Sequence, residues 1–159
     1  MSGPRIPRRQ ARRRAFQVLY GFEFEAPVND RALLAAVKGA PVEPDIPPSG
    51  DDYVLTLASG VWNDRAELDK LVQEHSQHWK LARIAKVELT ILRLALYEIL
   101  HAADIPLRVA MNEAVELAKE FGDENSPAFV NGILDAVSKA VDQGKFEMKK
   151  DLSRNKEEA

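Results

Sequence analysis

Residues 85–102 form a helix-length stretch with almost no polar side: Val87, Leu89, Ile91, Leu92, Leu94, Ala95, Leu96, Ile99 and Leu100. At about 100° per residue these side chains surround the axis instead of forming one stripe. A helix apolar on every side has to be enclosed by other elements. This segment is therefore the expected spine of the core, and the rest of the chain has to supply its cover.

That cover reads as more helix. Residues 8–24 run past Pro7 toward Pro27, with Ala11, Ala15, Val18, Leu19 and Phe22 on one stripe. Asn29-Asp30 is an expected N-cap for a short helix over 31–38, stopped by Gly39. Pro41, Pro44, Pro47, Pro48 and Gly50 make 40–50 an extended loop. Asp51 or Asp52 then starts a helix that carries Val54, Leu57, Val61, Leu68, Leu71 and Val72 to about residue 76. A short segment at Trp79–Arg83 leads into the spine. Asp104-Ile105-Pro106 interrupts the pattern before a helix over 107–121, stopped by Gly122. Ser126-Pro127, a capping hydroxyl with Pro at the first helical position, opens the last core helix. Past Asp142 the sequence is charged and without period, so fraying is expected. With no strand-like alternation and no internal repeat, the expectation is all-α: one domain of six or seven helices.

The charge is uneven. Six arginines (Arg5, Arg8, Arg9, Arg12, Arg13, Arg14) fall in the first 14 residues, which hold no acid. The remaining 145 residues carry 16 Lys and Arg against 25 Asp and Glu, a net of -9. A basic arm on an acidic body is the asymmetry of a chain that meets a polyanion at one end. Guanidinium groups pair with phosphates and stack on bases in ways ammonium groups do not. On the helix, Arg5, Arg8, Arg9, Arg12 and Arg13 share an arc beside the core stripe, and Phe16, Tyr20 and Phe24 continue it. Phosphate contacts from Arg8, Arg9, Arg12 and Arg13 with stacking on Tyr20 would suit single-stranded RNA. The alternative for Tyr20 is a boundary residue with its hydroxyl in water. The alternative for the arm is a solvated helix start, or a docking segment for a membrane or an acidic protein surface.

Signals for catalysis are weak. The absence of cysteine excludes disulfides, thiolate metal sites and thiol nucleophiles. No glycine-rich phosphate loop or nucleophile elbow is present. Glu74, His75 and His78 make a poor metal set, and His101 suits the C-terminal dipole of the spine helix. Glu113, Glu116 and Glu120, interleaved with Lys119, read as a solvated face. Gly132 is expected at a close helix contact, with Asn131 as a polar clamp beside it. No bilayer-length apolar run and no secretory h-region are present, so a cytoplasmic, non-enzymatic binding protein is expected.

The runs ARRRAFQVLY (11–20), ILRLALYEIL (91–100), IPLRVAMNEAVELAKEFG (105–122) and FVNGILD (129–135) closely resemble the bacterial NusB family of transcription antitermination factors. The resemblance implies a NusB-like fold of two packed helical subdomains, here an N-terminal one over 8–80 and a C-terminal one over 81–141, with a charged tail over 142–159. It implies binding of boxA RNA in ribosomal RNA leader transcripts, together with the ribosomal protein NusE. The complex would join RNA polymerase and other Nus factors and suppress Rho-dependent termination. Carried over by position, the RNA-contacting residues are Arg8, Arg9, Arg12, Arg13 and Tyr20, with Phe121, Gly122, Asn125 and Ser126 bordering the RNA. Tyr20 and Glu88 fall at the NusE surface. Asp123 and Glu124 make that loop acidic, so hydrogen bonds that set register are expected of it rather than phosphate attraction. No cofactor or metal is implied, and both a monomer and a homodimer formed through the arm are open. The helical module also resembles the N-terminal part of some ribosomal RNA cytosine methyltransferases, but the chain lacks the α/β domain and nucleotide-binding glycines of that enzyme.

Overall fold

A computed structural model describes residues 7–39, 52–76 and 79–146. Arg5, the proline-rich loop, His78 and the tail from 147 onward lie outside the described residues. Seven α-helices are present among those described, and no strand: α1 Arg8–Phe22, α2 Asp30–Lys38, α3 Asp52–Asn63, α4 Arg65–His75, α5 Lys86–His101, α6 Leu107–Phe121 and α7 Ser126–Asp142. One 3₁₀ turn, Leu81–Arg83, precedes α5.

The chain divides into two compact units, Met1–Asp64 and Arg65–Ala159. In the first, α1 packs on α2 and α3, with Ala11, Ala15, Phe16, Leu19, Leu57 and Val61 buried in its core. Asn29 caps α2 as expected, its Oδ1 accepting from Ala32 N at 2.8 Å. The helix expected to run unbroken to 76 instead ends at Asn63 and resumes at Arg65. Residues 65–75 then pack with the second unit, on α5 and α7, whereas the family resemblance implies an N-terminal subdomain that reaches residue 80.

In the second unit α5 touches α4, α6 and α7, and Ile91, Leu92, Leu96 and Ile99 are wholly buried. The spine is less apolar than it reads. Thr90, Arg93 and Glu98 are buried on it as well. Thr90 returns its hydroxyl to Lys86 O at 2.7 Å. Arg93 donates through Nε and Nη2 to the two carboxylate oxygens of Asp69 on α4, at 2.6 and 2.8 Å. A buried guanidinium is tolerated because a paired, bidentate carboxylate offsets its desolvation.

Fraying does not begin at Asp142. Gly144, at φ +72°, ends α7 in the left-handed conformation that glycine adopts without strain. Gly144 N donates to Val141 O at 3.1 Å and Lys145 N to Ala140 O at 2.8 Å, the paired bonds of a Schellman motif. The chain then turns back, and the buried Phe146 ring packs edge-on to His75 at 6.1 Å.

Candidate nucleic-acid interface

On α1 the buried set, which includes Arg12, Arg14 and Phe16, covers more than half of the circumference. Arg12 falls between Leu19 and Phe16 at about 100° per residue and is only 4% exposed. Its expected place in the phosphate-facing set is corrected accordingly: α1 is covered by both α2 and α3, so the arc next to the apolar stripe is enclosed too. Arg9, Tyr20, Arg13 and Phe24 fall within about 60° of one another at the same pitch and form the outward stripe. Arg9 is exposed and Arg13 partly so, its Nη1 donating to Gln10 Oε1 at 3.1 Å.

Tyr20 lies in an aromatic ladder. Its ring is nearly parallel to the buried Phe16 ring (13°, centroids 5.7 Å apart) and edge-on to Phe24 at 5.1 Å. Phe24 is 65% exposed, so the ladder runs from the core to the surface. Arg8, expected as a phosphate ligand, lies with its guanidinium carbon 3.6 Å from the centre of the Tyr53 ring on α3. That cation–π contact fixes the first turn of α1 against α3. Nothing in the sequence pointed to Tyr53, because the pairing spans 45 positions and leaves no local pattern.

The second candidate surface belongs to the C-terminal unit. Glu88, in the first turn of α5, accepts a hydrogen bond from Ser126 Oγ at 2.9 Å. The same hydroxyl accepts from Asp123 N at 3.0 Å. Asp123 Oδ1 in turn accepts from Asn125 N at 2.8 Å and Ser126 N at 3.1 Å. The N-cap of α7 is Asn125, which makes no side-chain capping bond; Asp123 Oδ1 takes the N–H of Ser126, the first residue of the helix. Gly122 is required for room: a Cβ there would collide with the Ser126 hydroxyl and Cβ and lie 2.9 Å from Ala118 O. Asn125 is exposed and Phe121 and Gly122 are half-buried. Ser126 is 2% exposed with its hydroxyl engaged, so it holds the loop and does not face a ligand. The structure thus brings Glu88 and the 121–126 loop together, two features 38 positions apart in the case of Glu88 and Ser126.

The expected solvated face on α6 is present: Glu116 and Glu120 are exposed, and Lys119 pairs with Glu116 at 3.2 Å. Gly132, expected at a helix contact, is exposed, and a Cβ added there would meet nothing within 4 Å. Asn131 beside it is exposed as well. Among the described residues no group of three acidic, His or Cys side chains is placed to hold a metal ion. None of the described helices is long and apolar enough to cross a membrane.

The model of the NusB family matches residues 9–139. This chain belongs to the NusB family. Its relatives include the transcription antitermination protein NusB of Nitratidesulfovibrio vulgaris (strain Miyazaki F), 44% identical over 91% of this chain and 94% of that protein. Among solved structures, NusB of T. maritima superimposes with a TM-score of 0.72 at 32% identity, covering 86% of this chain and 93% of that one. NusB from a complex of the antitermination factors NusB and NusE with double-stranded RNA superimposes at 0.68, with 27% identity over 84% of this chain and 96% of that one. The family match spans both units, and so includes the α1 stripe and the Glu88–Ser126 loop.

Proposed function

We propose that this chain is a transcription antitermination factor that binds boxA RNA of ribosomal RNA leader transcripts together with a NusE-type ribosomal protein. In the cytoplasm, that complex would join the elongating RNA polymerase and suppress Rho-dependent termination. The observation that carries the RNA part is the outward α1 stripe of Arg9, Arg13 and Tyr20 on a chain that is otherwise acidic. The relatives' role in antitermination, and the NusB–NusE–RNA complex of a structural neighbour, support the same reading. Phosphates would meet Arg8, Arg9 and Arg13, and an unpaired base would meet Tyr20. Phe121, Gly122 and Asn125 would border the RNA in the second unit, with Glu88 and Tyr20 meeting the protein partner. Recognition here is by binding, and no chemical step is assigned to any residue.

Fluorescence anisotropy with boxA RNA and a scrambled control, each with and without NusE, tests this directly. Tighter binding to boxA, strengthened by NusE, is the expected result. Equal weak binding to both RNAs, unchanged by NusE, would reduce the arm to a generic cationic segment on a helical interaction module.

A further inference from the structure

The C-terminal unit displays one large aromatic ring for which the core has no use. Trp79 is 50% exposed and stands at 88° to Phe129 of α7, ring centroids 6.0 Å apart. Its backbone is held from two sides. Trp79 O accepts from Ser76 Oγ at 2.7 Å and from Gln73 Nε2 at 3.1 Å. Gln73 Oε1 meanwhile accepts from Leu81 N at 2.8 Å. One α4 side chain therefore clamps the backbone before and after Lys80, and the half-exposed indole rests edge-on against Phe129.

The chain that follows it is basic. Arg83 N donates to Lys80 O at 2.8 Å, closing a turn whose ends lie within about 7 Å, and both residues are exposed. Between Glu74 and Glu88 the chain holds Lys80, Arg83 and Lys86 and no acid, against the acidic balance of the chain beyond its arm. A half-exposed indole with two exposed cations on the turn that follows has the chemistry of a single-strand binding element: a π-face for a base and cations for its phosphates. An acidic peptide would satisfy the cations but need not bring a planar group to the ring, whereas every nucleotide does.

We propose that Trp79, Lys80 and Arg83 form an RNA-stacking platform on the C-terminal unit, additional to the α1 stripe and the 121–126 loop. An unpaired base would lie on the indole and its flanking phosphates on the two cations. Phe129 lies one turn along α7 from Ser126, so RNA leaving the loop would continue onto Trp79. The inference rests on the RNA-binding reading above.

The chain has two tryptophans, so Trp62→Phe leaves Trp79 as the sole indole emitter. Trp62 packs edge-on to Phe22 at 5.2 Å in the first unit, and phenylalanine keeps a ring there. Titrating that variant with boxA RNA extended on both sides by unpaired nucleotides should quench Trp79 emission, with the midpoint seen by anisotropy. Trp79→Ala should weaken binding of the extended RNA about tenfold, at the low end of base–aromatic stacking. Lys80→Ala with Arg83→Ala should flatten the log affinity against log salt slope by about 1.4. Unchanged emission at saturating RNA, with binding still dependent on Arg9, would overturn the platform and leave the RNA-binding reading intact. No binding of RNA by the unsubstituted chain would overturn both. Emission that responds to NusE alone would assign the ring to a protein contact and overturn the platform too. Should Trp79→Ala fail to fold, the emission titration decides by itself.

Discussion

Arg9 and Arg12 are three positions apart on α1, yet one is exposed and the other enclosed. Arg9→Ala is expected to weaken boxA binding and reduce its salt slope by about 0.7, with the melting temperature unchanged. Arg12→Ala is expected to cost about 1–3 kcal/mol of stability, because truncation breaks up a buried polar site; urea unfolding measures it. Equal stability of the two variants would contradict the burial of Arg12. Two glycines of the C-terminal unit, Gly122 and Gly132, separate in the same way. Gly132→Ala should stabilise by about 0.5–1 kcal/mol, since helix entropy improves and the new methyl meets nothing. Gly122→Ala should destabilise by about 1–3 kcal/mol through overpacking against Ser126. Thermal melts of both variants check the opposite signs. In the sequence, Arg9 and Arg12 share one arc and Gly132 has the pattern of a packing glycine. Periodicity on one helix gives the centre of its buried arc but not the width, which depends on how many neighbours cover it.

Among the elements, those bounded by strong local chemistry were legible and those bounded by tertiary packing were not. Pro106 and Gly122 delimit α6 at the boundaries read from the sequence. Asn29 does the same for the start of α2. The break at Asp64 has no Pro or Gly to announce it, and the pattern of Val61 and Leu68 runs straight through. The Schellman end of α7 was concealed in a charged stretch, although Gly144 and Phe146 together carry the signal of a left-handed residue followed by an apolar anchor. The spine was visible as hydrophobic mass, but its buried Arg93–Asp69 pair was not, since it joins α5 to a helix 24 positions earlier. Leu96 is wholly buried on that spine, and Leu96→Ala is expected to cost roughly 2–5 kcal/mol by cavity formation. A loss below about 1 kcal/mol in chemical denaturation would contradict the central place of α5.

For the whole molecule, the balance of charges decides how strongly binding responds to salt. With Arg12 enclosed, three α1 cations remain for phosphates in the first unit, Arg8 among them only if it leaves or shares Tyr53. At about 0.7 per phosphate on a single strand, log affinity against log salt should fall with a slope near -2 from this arm alone. A steeper slope would require further cations, and the exposed Lys80 and Arg83 of the C-terminal unit are two candidates for them. The basic arm, the acidic remainder and the helical class were all readable from residue order. The meeting of Glu88 with the 121–126 loop was not, because it is made by one hydroxyl across the ends of two helices. That hydroxyl has a thermodynamic consequence. A protein that grips Glu88 and an RNA that leans on the loop would each displace the same Ser126 bond or reinforce it, so their binding energies cannot be independent, and linkage makes the effect equal in both directions. Ser126→Ala, which also loosens the loop that this hydroxyl holds, should shift each partner's separate affinity and shrink the coupling between them, as read by titrating NusE with and without RNA, so that cooperative assembly fades toward two unrelated encounters.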